Sequence, residues 1–348
     1  MDFIVRVDCI TFNQSSFIID TMNGFCMQET SFPFVCTIID DCSSDGEKDV
    51  IQDYLEHNFE LANKSVALFD ETDDYLRIFA QHKNNINCFF DVYYLKYNHY
   101  SIRKDKRQYV KSFNNTKYTA FCEGDDYWID TRKLQKEVDF LEEHDDYSMV
   151  HTAYNRLYQN TGSFVPVVIT DNSIIDSESL KWAILINDVQ IGTATVIIRS
   201  NLLAIIHNEF ADDFNNAIMG DVQRWFHCAR LSKVHYITDI TAVYRKNEGT
   251  LTSINSAKRY YFLKNAFEVH LKLATKYGAP NEIVKQIRER YGSSVICTGI
   301  DYRMYEDCVA FVKVYMPQNK WLLLLLSFGR SMPFIKPSIF KRVALYFL

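Results

Sequence analysis

The chain has 348 residues, 47% of them hydrophobic and 24% charged, which allows one large domain with an appendage or two small domains around a real core. A net charge of −6 and a pI near 5.9 exclude a general nucleic-acid binder, which would carry a basic face. The nine cysteines form no CxxC pair and lie mostly inside apolar runs, so they read as reduced thiols. No basic leader precedes the strand-like run at Phe3 and no apolar stretch approaches the ~20 residues of a bilayer span, so the expected location is cytoplasmic.

Residues 3–12 read as a first buried strand, followed by loop and capping residues Asn13-Gln14-Ser15-Ser16 and a helix carrying Phe17, Ile18, Met22, Phe25 and Cys26. Phe34 to Ile39 is a second strand, ending in Asp40-Asp41-Cys42-Ser43-Ser44-Asp45-Gly46, and an amphipathic helix with Ile51 and Leu55 follows. Strand, helix, strand, acidic loop, helix opens a parallel α/β sheet. Ser65 to Phe69 is a third strand. Residues 70–87 read as a polar insertion with a small helix around Tyr75–His82, and Cys88 to Leu95 as another strand. The basic cluster of 96–117 (Lys96, Arg103, Lys104, Lys106, Arg107, Lys111) reads as a solvated face, with a surface for a diphosphate or an acidic acceptor as the alternative.

Tyr118 to Cys122 is an apolar run that stops in Glu123-Gly124-Asp125-Asp126, with Tyr127-Trp128 behind. Ligands of open α/β sheets bind beyond the carboxyl ends of the strands. Three acids placed there repel one another unless a cation sits among them, and Mg²⁺ or Mn²⁺ held by one or two carboxylates plus substrate phosphates suits the pattern. Asp130 can cap the helix bearing Leu134, Val138 and Leu141. Strands are expected at 147–154, 164–169, 190–199 and 235–245, and helices at 177–185, 201–208 and from Met219. From about 257 onward the pattern is helical.

These landmarks, in this order, resemble the inverting GT-A glycosyltransferases that use nucleotide sugars. Thr11-Phe12-Asn13-Gln14 resembles their nucleotide-contacting entry loop, and Asp40 to Gly46 is similar to their "DDGSTDG" signature. Glu123 to Trp128 resembles the DxD element, Ile191-Gly192-Thr193-Ala194 the acceptor-side strand, and Gly220-Asp221 the catalytic "ED". Tyr244-Arg245-Lys246-Asn247-Glu248-Gly249 resembles the "YRxHxG" ending. The resemblance implies a GT-A fold: a Rossmann-like, mostly parallel α/β sheet flanked by helices over 1–254, with a helical extension over 255–348.

The resemblance also implies roles. Thr11, Asn13, Asp41, Glu123 and Arg245 would bind the nucleotide, Asp41 meeting the base, uracil in a UDP-sugar. Asp125 would bind the metal. Asp221 would be the general base that deprotonates an acceptor hydroxyl. Asn247 is a candidate metal or phosphate contact, and Asp126, Trp128, Gly192 and Thr193 are candidates for a sugar or acceptor pocket. Glu123 stands where Asp is usual, Gly220 where Glu is usual, and Asn247 where His is usual. The activity implied is transfer of one sugar from a nucleotide-diphosphate sugar to a glycan or lipid-linked acceptor in surface polysaccharide synthesis.

The competing reading is a non-catalytic relative that binds a sugar or a partner protein at the membrane. A nucleotidyltransferase is disfavoured, because no Gly-rich basic loop follows the first strand. In the C-terminal region Trp321 to Leu326 is apolar, and Arg330, Lys336, Lys341 and Arg342 interleave with bulky side chains. That composition suits either a helix in a membrane interface, placing the protein at the inner face of the cytoplasmic membrane, or a helix docked on the protein's own core.

Overall fold

The computed structural model describes residues 2–106, 108–109, 115–170, 179–247, 256–331 and 336–347. They divide into two compact units: Met1–Glu178, Gln190–Glu209 and His227–Lys246 in the first, and Ser179–Val189, Phe210–Phe226 and Asn247–Leu348 in the second.

The first unit is built on one mixed sheet. Its strands are β1 Val5–Thr11, β2 Phe34–Asp40, β3 Ala67–Glu71, β4 Tyr75–Gln81, β5 Cys88–Leu95, β6 Tyr118–Phe121, β7 Tyr127–Trp128, β8 Tyr147–Tyr158, β9 Ser163–Val167, β10 Ile197–Arg199 and β11 Lys233–Lys246. They run in the order β3-β4-β5-β2-β1-β6-β10-β8-β11-β7, with β9 paired to β8. The parallel pairs β5–β2, β2–β1 and β1–β6 form the middle, antiparallel pairs flank it, and β8–β11 adds one more parallel pair beyond β10. Parallel strands covered on both faces read as continuous apolar runs, and β2 and β5 are buried along their whole length. Helix α1 (Ile18–Cys26) buries Ile18, Thr21, Met22 and Phe25, one helical stripe. Helices α2 (Glu47–Asn58) and α3 (Lys133–Glu143) add Ile51, Leu55, Leu134, Val138 and Leu141 to the same core. No side-chain cap holds the start of α1, so the capping expected of 13–16 is not made. Asp130 does accept from the Arg132 N–H, 2.8 Å, just ahead of α3.

Two expectations are corrected here. The 70–87 stretch contains no helix among the described residues: β3 and β4 form an antiparallel hairpin that continues the sheet past β5. Asp91, buried in β5, needs a counter-charge, and Arg77 of β4 supplies it at 2.6 Å. Phe79 stacks on Phe89 beside it. The strand expected over 190–199 shrinks to β10, because Thr195 turns back onto Gly192 O through both its N–H (2.9 Å) and its hydroxyl (2.7 Å), curling 193–195 into a 3₁₀ turn.

The second unit is helical: α4 Leu180–Leu185, α7 Lys258–Lys276, α8 Asn281–Asp301, α9 Tyr305–Tyr315, α10 Lys320–Ser331 and α11 Pro337–Phe347. Its core gathers Tyr260, Phe267, Ile287, Val295, Ile300, Phe311, Leu322 and Phe340. Helix α5 (Ser200–Glu209) belongs to the first unit, and α6 (Asp221–Leu231) begins in the second. The first two residues of the helix expected over 177–185 lie outside the described residues. No described helix is long and apolar enough to cross a membrane.

Candidate active site

The site follows from register. In the β1–β2 pair Thr11 lies opposite Asp40, and in the β1–β6 pair Asp8 lies opposite Phe121. Three parallel strands therefore leave the sheet side by side, and their next residues are Phe12-Asn13, Asp41-Cys42 and Cys122-Glu123. Their carboxyl ends are the place where open α/β sheets bind ligands.

The first two loops are tied together. Asn13 adopts the left-handed conformation, φ 54°. Its N–H donates to Ser43 Oγ at 2.8 Å, and its Oδ1 accepts from the Ser44 N–H at 2.8 Å. Glu47, at the start of α2, accepts from the Gln14 N–H (2.9 Å), from Ser43 Oγ (2.8 Å) and from the Thr11 hydroxyl. Burial pushes the Glu47 carboxyl above its ordinary value, against the pull of those donors.

Asp41 is 1% exposed. Its carboxylate accepts from the backbone N–H groups of His99 (2.7 Å) and Tyr100 (3.1 Å) and pairs with Lys106 Nζ at 2.7 Å. A carboxylate offers about four lone-pair sites, so most of its capacity is in use. Much of the basic cluster is likewise spent within the protein: Lys96 pairs with Glu71 (2.8 Å) and Lys104 with Asp74 (3.0 Å). Arg107 and Lys111 lie outside the described residues.

The turn after β6 separates its acids. Glu123 is exposed, Asp125 is 7% exposed, and Asp126 is 2% exposed. A side chain at Gly124 would put its Cβ 2.6 Å from Thr11 Cβ, so only glycine lets this turn approach the end of β1. Thr21 of α1 holds the turn from below, its hydroxyl 2.9 Å from Gly124 O and 2.7 Å from Asp126 O. Asp126 accepts from the Arg245 N–H at 2.8 Å. Burial pushes the Asp126 carboxyl well above its ordinary value, and the charges of Asp125 and Glu123 add to the shift. No group of three His, Cys, Asp or Glu side chains able to hold a metal occurs among the described residues. The donor set fits a hard cation delivered with phosphate oxygens at Asp125, which needs only one or two carboxylates.

Trp128 is a core residue, 1% exposed: it meets Phe25 edge to face at 4.9 Å, and its indole N–H donates to Ala194 O at 2.8 Å. That bond positions the half-buried Gly192-Thr193 segment. A Cβ at Gly192 would lie 3.2 Å from the Tyr154 ring, so a side chain there requires that ring to shift by a few tenths of an ångström. The Arg245 guanidinium sits between the rings of Tyr127 (4.6 Å) and Phe17 (5.0 Å) and pairs with Asp20. Its Nε is buried with no hydrogen-bond partner among the described residues. Lys106, Asp20, Glu47 and Thr21 are therefore site residues that local motifs do not announce.

In the second unit, Asp221 is the first residue of α6, and its Oδ1 is buried with no hydrogen-bond partner among the described residues. His270, bonded to Leu185 O at 2.6 Å, is held below its ordinary pKa by burial, against the pull of Asp221. Gly220 leaves room in which a Cβ would meet Arg224 and Phe214 at 3.4 Å. Asn247 is buried, and Glu248 to Thr250 lie outside the described residues.

No protein-family model matches the chain. The uncharacterized proteins Rv1520 of Mycobacterium tuberculosis and Mb1547 of Mycobacterium bovis are each 29% identical over 151 residues, which is 43% of this chain and 35% of each relative. The chain thus spans about a third of the length of the curated relatives it matches. Among solved structures, S. aureus TarS 1–349 in complex with UDP-GlcNAc superposes with a TM-score of 0.50 at 15% identity, covering 99% of this chain and 90% of that one. The mannosyltransferase PcManGT from Pyrobaculum calidifontis, in complex with GDP-Man and Mn²⁺, gives 0.47 at 13% identity over 100% and 85%. The chain has a GT-A-like glycosyltransferase fold.

Proposed function

We propose that the chain transfers a single sugar from a nucleotide-diphosphate sugar, UDP-linked in the first instance, to a hydroxyl of a glycan or lipid-linked acceptor in surface polysaccharide synthesis, with inversion at the anomeric carbon. The observation that carries this reading is the side-by-side ending of β1, β2 and β6 in Thr11, Asp40-Asp41 and Glu123–Asp126, in a fold shared with a protein solved with UDP-GlcNAc.

Asp41 and its partner Lys106 mark the base end of the donor site, and Thr11 and Asn13 form its wall. Glu123 meets the ribose, and the Nε of Arg245 is a donor for a diphosphate oxygen. A Mg²⁺ or Mn²⁺ at Asp125 would offset charge on the departing diphosphate. Asp221 takes the acceptor's proton as its oxygen bonds to C1 and the C1–O bond to the diphosphate breaks. A buried carboxylate oxygen at position 221 with no hydrogen-bond partner among the described residues suits that task. Gly192 and Thr193 border the acceptor.

The test is thermal stabilisation by UDP, GDP, dTDP and CMP, each with and without Mn²⁺, on the wild type and on Asp125→Ala. A ligand at about 100 times its Kd adds ~2.7 kcal/mol to a folded state that alone binds it. The expected result is a Mn²⁺-dependent shift with UDP that Asp125→Ala loses, together with an Asp221→Asn variant that binds UDP and does not transfer. No shift with any nucleotide would overturn the donor assignment and favour the non-catalytic binder.

A further inference from the structure

Helices α10 and α11 each have two apolar faces. One face enters the unit's core through Leu322 and Leu326 on α10 and Phe340 and Ala344 on α11. The other faces solvent: Trp321 (67% exposed), Leu324 and Phe328 on α10, and Ile339, Val343 and Tyr346 (85% exposed) on α11. Several of these line an apolar groove of about 410 Å³ between the two helices. A helix packed on one side only should carry polar residues on its outer face. A contiguous apolar surface of this kind marks an interaction site.

Charge says what covers it. From Cys308 to Leu348 there is no Asp or Glu and there are six basic residues, in a chain whose net charge is −6. Lys341 is neutralised by Asp301 at 2.6 Å. Lys320, Lys336 and Arg342 are exposed around the apolar face. A second copy of the chain docked here would bring two such basic rims together, which costs affinity. A lipid surface bearing phosphate charges meets both features at once, and exposed Trp and Tyr suit the headgroup level. At 12 and 11 residues the helices are built to lie along a surface.

We propose that the outward faces of α10 and α11 form a docking surface for an anionic lipid bilayer, the apolar side chains entering the acyl boundary and Lys320, Lys336 and Arg342 meeting the headgroups. This does not rest on the transfer reading, because it needs neither nucleotide nor metal. The experiment is vesicle flotation of the full chain, with phosphatidylcholine alone or mixed with phosphatidylglycerol, at low and high salt. It compares wild type with two variants that leave the core-facing residues intact, Trp321→Ser/Phe328→Ser and Lys320→Glu/Arg342→Glu, each checked for native far-UV circular dichroism. Wild type should bind the anionic vesicles about tenfold or more tightly than the neutral ones, less so at high salt, and both variants should lose about that factor. Equal or absent binding to the two vesicle types would overturn the proposal. So would a wild-type dimer that Trp321→Ser/Phe328→Ser converts to a monomer while vesicles stay unbound, since the face would then be a contact between copies.

Discussion

The peptide N–H of Arg245 donates to Asp126 Oδ1 at 2.8 Å, tying β11 to the turn of the acidic motif 119 positions earlier in the chain. Burial and the neighbouring charges of Asp125 and Glu123 favour the neutral carboxyl against the pull of the Arg245 N–H, and a neutral group still offers a carbonyl oxygen to this bond, though a weaker acceptor than a carboxylate. Asp126→Asn should therefore be as stable as wild type or more so in urea unfolding. Asp126→Ala, which strands the N–H, should lose about 1–3 kcal/mol. Because the folded-state pKa is raised, the wild type binds the extra proton when folded, and this residue's contribution falls as pH rises above the unfolded value of about 3.9. Asp126→Asn should flatten that slope. Equal losses in Asn and Ala would show that the charge, not the acceptor, holds the strand.

Lys133 and Glu137 form an ion pair in which both side chains are fully buried, Nζ to Oε2 2.7 Å, with Lys133 over the Trp128 ring at 4.8 Å. Burial pushes the Glu137 carboxyl up to about 7, against the pull of Lys133. Glu137→Leu leaves the ammonium buried alone and should cost about 3–5 kcal/mol. Lys133→Met/Glu137→Leu removes both charges and should recover most of that loss. A double-mutant cycle read by urea unfolding checks this. Additive losses would mean that the pair is not energetically coupled.

His151, in β8, is fully buried, and neither ring nitrogen has a hydrogen-bond partner among the described residues. Burial holds its pKa down at about 3, with His235 adding to the effect. The unfolded chain binds this proton first, so the stabilising contribution is complete above the unfolded pKa of 6.5 and is lost as pH falls toward about 3. Over that window His151 should contribute a slope of roughly 1.4 kcal/mol per pH unit. His151→Phe should remove it, as measured by denaturant unfolding at a series of pH values. An unchanged slope would place the acid sensitivity in other groups.

Much of this architecture is legible in the residues because the signals are local. β1, β2 and β6 each show an apolar run broken by polar residues, so the positions of Thr11, Asp41 and Glu123 at strand ends can be read directly. β4 is not legible in that way. Its sequence Tyr75-Leu76-Arg77-Ile78-Phe79-Ala80-Gln81 buries only Ile78 and Ala80 on one face and leaves the other half-buried, and its Arg77 finds its partner in Asp91, 14 positions further on. Lys106 is hidden for the same reason: nothing near it reveals that its partner is Asp41, a residue of another loop. The separate surroundings of Glu123, Asp125 and Asp126 are hidden as well, because adjacency in the sequence does not show which of them the fold buries. Asp126 is claimed by a backbone donor that only tertiary structure supplies.

The hairpin that extends the sheet has a further effect on how the protein behaves in concentrated solution. It makes β3 the outer strand among those described, and the outer side of such a strand is a template for pairing with another chain. β3 exposes Leu68 and Phe69, yet it ends in Asp70-Glu71. β9, paired with β8 alone among the described strands, carries Pro166, which cannot donate to a new ladder. β7, at the far end, is only two residues long. Acid, proline and brevity each guard one exposed margin of the sheet against edge-to-edge aggregation.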